Sequence, residues 1–211
     1  METYTLPFAP PNLSTLQIAY FEDVTNAAAI KHRLVEAANT PGAAGEVARA
    51  AVDFAFIDAD LLVSRAHLIT ALFAALLTSL PSVSGATLAA PPVPKTRTHN
   101  LHSEVLCALS PNNNISEAIR RFGVGKGTRR LIVAKYGGGE IGPEQVWRMI
   151  EDVVSGRLER LDRLDEVEVP WARIDKVYKV GEMNNLKMSG AEREAAKRAA
   201  IVNAVAVKHA M

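Results

Sequence analysis

The stretch "DLLVSRAHLITALFAALLTSL", Asp60 to Leu80, decides the class of fold. Wound as a helix it is apolar nearly all round, and after Arg65 no Lys, Arg, Asp or Glu follows until Lys95. Such a helix belongs either in a bilayer or in the middle of a protein core. A membrane span needs about 20 consecutive apolar residues. Arg65 and His67 interrupt the run, and the uncharged part that remains, Leu68 to Leu80, is too short. The stretch therefore reads as the buried central helix of a globular domain.

Outward from that helix the pattern alternates between short strands and helices. "STLQIAYF" (Ser14–Phe21) places Leu16, Ile18 and Tyr20 in alternation, a half-buried strand. "VTNAAAIKHRLVEAAN" (Val24–Asn39) reads as a helix ended by the Thr40-Pro41-Gly42 turn, and "DFAFID" (Asp53–Asp58) as a second strand feeding the central helix. Residues 79–94 are rich in Pro, Ser and Ala, the composition of a flexible loop insertion. Lys95–Thr98 is expected to be an edge strand, and "NLHSEVLCAL" (Asn100–Leu109) a helix stopped before Pro111. "RRLIVAKY" (Arg129–Tyr136) is the strongest strand signal. Gly137 to Gly139 turn it into a helix with Pro143 at its first position and Gly156 just past its end. "VPWARIDKVYKV" sets Trp171, Ile174 and Tyr178 on one helical face. The last helix opens with the capping box Ser189-x-x-Glu192 and carries Lys208 and His209 in its final turn, where cations complement the helix dipole. Few strands among many helices give a mixed α/β (α+β) single domain over residues 1–211, without internal repeats.

With 211 residues, 48% hydrophobic and 22% charged, the chain has the balance of a soluble globular domain. The single cysteine, Cys107, excludes an internal disulfide and a Cys-rich zinc site, and fits a reducing compartment, cytosol or nucleus. No basic region followed by an apolar one stands at the N-terminus, so no secretory signal is expected. A net charge of +1 gives no global field toward nucleic acid. Its distribution is less even. Lys95, Arg97, Arg120, Arg121, Lys126, Arg129, Arg130 and Lys135 face only Glu104 and Glu117 in the middle third, which leaves 16 basic against 21 acidic residues elsewhere. A solvated face and an anionic partner both account for this.

The densest local signal is "LSPNNNISEAIRRFG", Leu109 to Gly123. Asn114 is the expected N-cap of a short helix and Glu117 its reciprocal capping-box partner. Ile115, Ala118, Ile119 and Phe122 follow the rhythm of a buried stripe. Arg120 and Arg121 then point outward, and Gly123 suits a left-handed stop. Asn112 and Asn113 are left without an assigned local role: they either complete a turn or meet a ligand.

Enzyme readings fare poorly. "FGVGKGTRR" is not a phosphate loop, because Gly127 stands where a Ser/Thr must follow the Lys, and a helix precedes it while a strand follows. His102 and Cys107 are five positions apart, about 500° around a helix, so they share no face. His99 and His102 without a third ligand make a weak zinc case. The acids from Glu159 to Glu168 interleave with Arg160 and Arg163 as a salt-bridged surface. No catalytic residue, metal site or cofactor is expected.

"KTRTHNLHSEVLCALSPNNNISEAIRRFG" (Lys95–Gly123) closely resembles the signature region of the PRPK-binding protein (CGI) family, the small non-catalytic subunit of the KEOPS (EKC) complex. The resemblance extends more loosely to "IAYFEDVTNA", "LIVAKY" and "IDKVYKV", in the same order. Residues 79–94 are longer than the family leads one to expect, as is the approach to the final helix.

The resemblance implies a small, mainly antiparallel sheet packed with helices, in the nucleus and cytoplasm. It implies direct binding to the complex's atypical PRPK-type kinase, with stimulation of its ATPase. A threonylcarbamoyl-transferase subunit is then met indirectly, for t6A modification at adenosine 37 of ANN-decoding tRNAs. Archaeal relatives hold the single-stranded 3′ CCA end of tRNA, and fungal relatives are linked to telomere maintenance. Amides read base edges and cations meet phosphates, which nominates Lys95, Arg97, Asn112, Asn113, Arg120 and Arg121 for tRNA. Leu101, Val105, Leu106, Leu109, Ile115 and Ile119 are more apolar positions than one-sided burial of short helices needs. They are the expected kinase contacts, unless all six are core. In the last helix, Ile201, Val202 and Val205 are apolar enough to dock on a partner. The alternative is an adaptor of the same fold without RNA contact.

Overall fold

The computed structural model describes residues 1–80, 96–98 and 100–208. The predicted loop insertion lies outside the described residues beyond Leu80, as do Lys95, His99 and His209.

Five strands form the sheet of the described residues: β1 (Glu2–Thr5), β2 (Thr15–Glu22), β3 (Ala55–Asp58), β4 (Leu131–Gly137) and β5 (Arg157–Glu159). The order is β1-β2-β4-β3, and every pairing is antiparallel. β1 and β5 share the outer edge of β2, pairing Thr15–Ile18 and Tyr20–Glu22 respectively. The register sets Leu16 opposite Tyr136, Ile18 opposite Ala134 and Tyr20 opposite Ile132, so these side chains share one face of the pleat.

That face carries the larger core. α3 (Arg65–Ser79) lies over it with Leu68, Leu72 and Leu76 fully buried, as the all-round apolar pattern requires. Around α3 pack α4 (Leu101–Leu109), α5 (Ile115–Phe122), α8 (Trp171–Tyr178) and α9 (Gly190–Val207) through Val105, Phe122, Ile174 and Ile201. The opposite face, with Ala19, Phe21, Phe56 and Val133, is covered by α1 (Ala27–Asn39) and α6 (Pro143–Glu151) through Ile30, Val146 and Ile150. Helices on both faces correct the half-buried reading of β2. Its residues Leu16 to Phe21 are all buried, Gln17 included. Two further α-helices stand among the described residues, α2 (Gly42–Ala51) and α7 (Arg163–Glu166). α2 is absent from the sequence reading; it starts where Gly42 takes φ +66°, a left-handed value that glycine adopts without strain. No helix among the described residues is long and apolar enough to cross a membrane.

Two buried histidines tie the layers together. His102 of α4 accepts the Tyr136 N–H at Nε2 (3.2 Å), two residues beyond the last β3 pair, Ala55 opposite Ala134, where β4 keeps β2 but has lost β3 as a neighbour. Its Nδ1 then carries the proton and donates to Asp53 Oδ1 at 2.9 Å, and Lys135 Nζ meets Asp53 Oδ2 at 3.1 Å. His67 of α3 accepts the Val63 N–H at Nδ1 (3.4 Å) and lies 3.0 Å from Tyr178 Oη by Nε2. The Tyr178 hydroxyl donates to the Leu109 carbonyl at 2.7 Å, so its one proton is committed and Nε2 of the imidazole must be the donor. This relay joins α3, α8 and α4.

Thr96–Thr98 form a bend, not the expected edge strand. The Arg97 and Thr98 amides donate to Glu104 Oε2 at 3.0 and 3.1 Å. The open edge of β3 instead meets Gly123 through an isolated bridge at Ile57, and His102 bonds β4 at Tyr136.

Candidate nucleic-acid and partner interface

The asparagine run connects α4 to α5, and each residue in it has a distinct position. Asn114 is the N-cap, its Oδ1 accepting from the Glu117 amide at 2.9 Å. The reciprocal half of the expected capping box is replaced. Asn112 Oδ1 takes the Asn114 amide at 3.1 Å, and Asn112 Nδ2 donates to Glu117 Oε2 at 2.7 Å. Asn112 Oδ1 also accepts from the Ser110 hydroxyl at 3.1 Å. Asn112 is thus a turn-forming residue, an outcome its type allows but its position did not reveal. Asn113 is exposed and its side chain makes no hydrogen bond among the described residues. Gly123 ends α5 in an extended conformation (φ −78°) rather than the expected left-handed one. A Cβ there would stand 2.5 Å from the Ile119 carbonyl, so close approach is what requires glycine.

Glu117 is the hub of the loop. Arg121 pairs closely with it, and Arg120 reaches it at 3.8 Å. The Asn112 hydrogen bond and, next, the two guanidinium charges hold its carboxyl below the ordinary range. The basic residues of the middle third therefore divide into two groups. Arg130 is fixed on Asp60 by two hydrogen bonds of 2.9 and 3.1 Å, Lys135 is buried on Asp53, and Arg121 is tied to Glu117. Arg97, Lys126 and Arg129 are exposed and form no ion pair among the described residues; Arg120 has only its long contact. Neutralised cations add little to a polyanion site, so the second group supplies the charge available to an anionic partner. Lys95 lies outside the described residues.

The residue that sequence reasoning missed is Lys208. Its position in the last turn suggests only the dipole of its own helix, yet its ammonium caps a different one. It donates to the carbonyls of Cys107 (2.5 Å), Ser110 (2.8 Å) and Asn112 (2.9 Å) at the end of α4. Burial pushes its pKa down, and the charge of nearby Arg97 pushes the same way. A lysine at the chain's far end carries no local signal for such a contact.

The six apolar positions nominated for a partner separate by helix. Leu101, Val105, Leu106 and Leu109 are all buried against α3 and the sheet, so they offer no surface. The reason is that α4 is enclosed by neighbours on every side. Ile115 and Ile119 of α5 are 37% and 43% exposed, one turn apart, while Ala118 and Phe122 of the same predicted stripe point inward. In α9, Ile201 and Val205 belong to the core and Val202 is half-buried. Cys107 is buried, and among the described residues no three His, Cys, Asp or Glu side chains could hold a metal.

This arrangement defines a class: a three-layer α/β/α domain that presents a polar loop and a short helix with an exposed isoleucine pair. The chain belongs to the CGI-121 family of kinase binding proteins, whose family model matches residues 21–209. It is 42% identical over 230 aligned residues to the EKC/KEOPS complex subunit CGI121 of Cryptococcus neoformans var. neoformans serotype D (strain JEC21), covering 99% of both chains. The subunit of the same name in Gibberella zeae is 33% identical over 89% of this chain and 85% of its own. That of Aspergillus terreus is 28% identical over 88% and 83%.

Proposed function

We propose that this chain is a non-catalytic subunit of a KEOPS/EKC complex. It binds the small PRPK-type kinase of that complex directly and raises its ATPase activity. Through the kinase it joins the threonylcarbamoyl-transferase subunit, and it presents the loop at Asn113 to the 3′ CCA end of tRNAs destined for t6A37 modification. The observation that carries the complex assignment is the full-length similarity to the Cryptococcus subunit. For the kinase, support comes from Ile115 and Ile119, an apolar pair ringed by charge in the way interface centres are. For RNA, support comes from the exposed Asn113 side chain, which makes no hydrogen bond among the described residues, and from the exposed cation Arg120, whose only ion pair among them is its 3.8 Å contact with Glu117 of the same loop and helix.

The test uses the purified chain with its kinase. Ile115→Glu with Ile119→Glu should weaken kinase binding tenfold or more, since buried centres dominate such interfaces (roughly 2 kcal/mol or more per anchor), and leave thermal stability unchanged. Asn113→Ala should reduce the preference for tRNA ending in CCA over tRNA lacking it. An adaptor without RNA contact is the other reading, and the engagement of Asn112 within its own turn favours it. Equal affinity of the wild type for both tRNAs would establish that alternative.

A further inference from the structure

Lys208 stands one residue beyond α9, and its three protons go to three carbonyls of one turn. None is left to meet an anion. The carbonyls at a helix C-terminus have no partner within the helix and must find donors elsewhere. Many helices solve this locally, with a glycine just past the end. α4 has one local donor, the Ser110 N–H on the Cys107 carbonyl, and draws others from far along the chain: Lys208 reaches Ser110 across 98 positions, and the Tyr178 hydroxyl reaches Leu109 across 69. The place of the ammonium is set by α9, which is anchored in the core by Ile201 and Val205. The third carbonyl belongs to Asn112, whose side chain holds the Asn114 amide and Glu117 at the start of α5.

We infer that Lys208 is a positioning residue that latches the Ser110–Asn112 turn, so that the presentation of Asn113 depends on the docking of α9. The RNA half of this inference rests on the tRNA reading above. An ammonium bound to neutral carbonyls at the rim of the loop orders the turn from behind and leaves the outward amide free to read a base edge. Loosening α9, by mutation or by a partner that moves it, would therefore change recognition at a loop it does not flank in sequence.

The test compares the full-length chain with Lys208→Met and Lys208→Arg. Amide hydrogen exchange at Asn114 should quicken in Lys208→Met, because the turn that supplies its acceptor is released, and arginine should restore part of the protection. Preference for CCA-ended tRNA should fall about tenfold in Lys208→Met, the scale of one lost charge-assisted hydrogen bond. Affinity for tRNA lacking CCA should hold, as should the slope of log affinity against log salt. A slope reduced by about 0.7 would make Lys208 a direct phosphate contact and overturn the latch. Unchanged exchange at Asn114 would overturn it too, as would equal losses on both tRNAs accompanied by a lower Tm. If the wild type ignores the CCA end, the tRNA reading falls and takes the RNA half of the inference with it; the exchange result still decides the latch.

Discussion

His67 lends itself to a quantitative prediction about acid stability. The side chain is fully buried and serves as a neutral tautomer: Nδ1 accepts from Val63, and the Nε2 proton goes to Tyr178. Charging the ring would strip Val63 of its acceptor and place an ion in the core, and burial pushes the pKa down from 6.5 to about 3. Because the folded value lies below the unfolded one, the unfolded chain binds more protons between them. The contribution of His67 is therefore intact above pH 6.5 and is lost as pH falls toward 3. Each unit below 6.5 costs roughly 1.4 kcal/mol, so moving from pH 7 to pH 5 should remove about 2 kcal/mol at this residue. Other groups move differently. Against its burial, hydrogen bonds from His102 and Lys135 hold the Asp53 carboxyl well below its ordinary range, so its contribution is lost only in stronger acid. Burial raises Asp58, which acts in the opposite direction. The difference between wild type and His67→Gln isolates the histidine. Urea unfolding at both pH values should show the wild type losing about 2 kcal/mol more than the variant. Equal losses would refute the neutral, solvent-excluded imidazole and the relay built on it.

Other perturbations follow from the same contacts. Asp175→Ala should cost roughly 3 kcal/mol in urea unfolding, because it strands Lys197, which is buried with its ammonium 2.6 Å from that carboxylate and over the Trp171 ring. Leu109→Ala should cost about 2–5 kcal/mol as a core cavity, since Leu109 is fully buried, whereas Ile115→Ala should change stability little; comparable losses would place the exposed face of α5 inside the core. Arg130→Ala should lower stability and leave the salt dependence of tRNA binding alone, while Arg129→Ala should do the reverse, flattening the slope by about 0.7.

How much of this was legible in the sequence depended on the range of the interaction. The N-cap at Asn114 and the capping box at Ser189 were readable, because donor and acceptor lie within one turn of each other. The central helix was readable from its composition alone, since a segment without a polar face has few places to go. β4 and β2 were readable as strands. That β2 is covered on both faces was not: Gln17 and Ala19 look like outward positions until α1 and α6 pack over them. Lys208 looked like a dipole cation because only its own helix was visible in the sequence.

The chain by itself determined where most elements begin and end, and which family signature they carry. Tertiary structure decided which side of each short helix is left to the solvent. The stripe Ile115, Ala118, Ile119, Phe122 is wider than any single contact, and neighbouring helices choose the half that is buried. It also decided that Asn112 braces a turn while Asn113 faces outward, and that a lysine 96 positions beyond Asn112 completes the brace. The physical reason is the same in each case. Backbone propensity and side-chain periodicity act over one or two turns, whereas burial and the satisfaction of orphan carbonyls depend on groups that only the folded chain brings together.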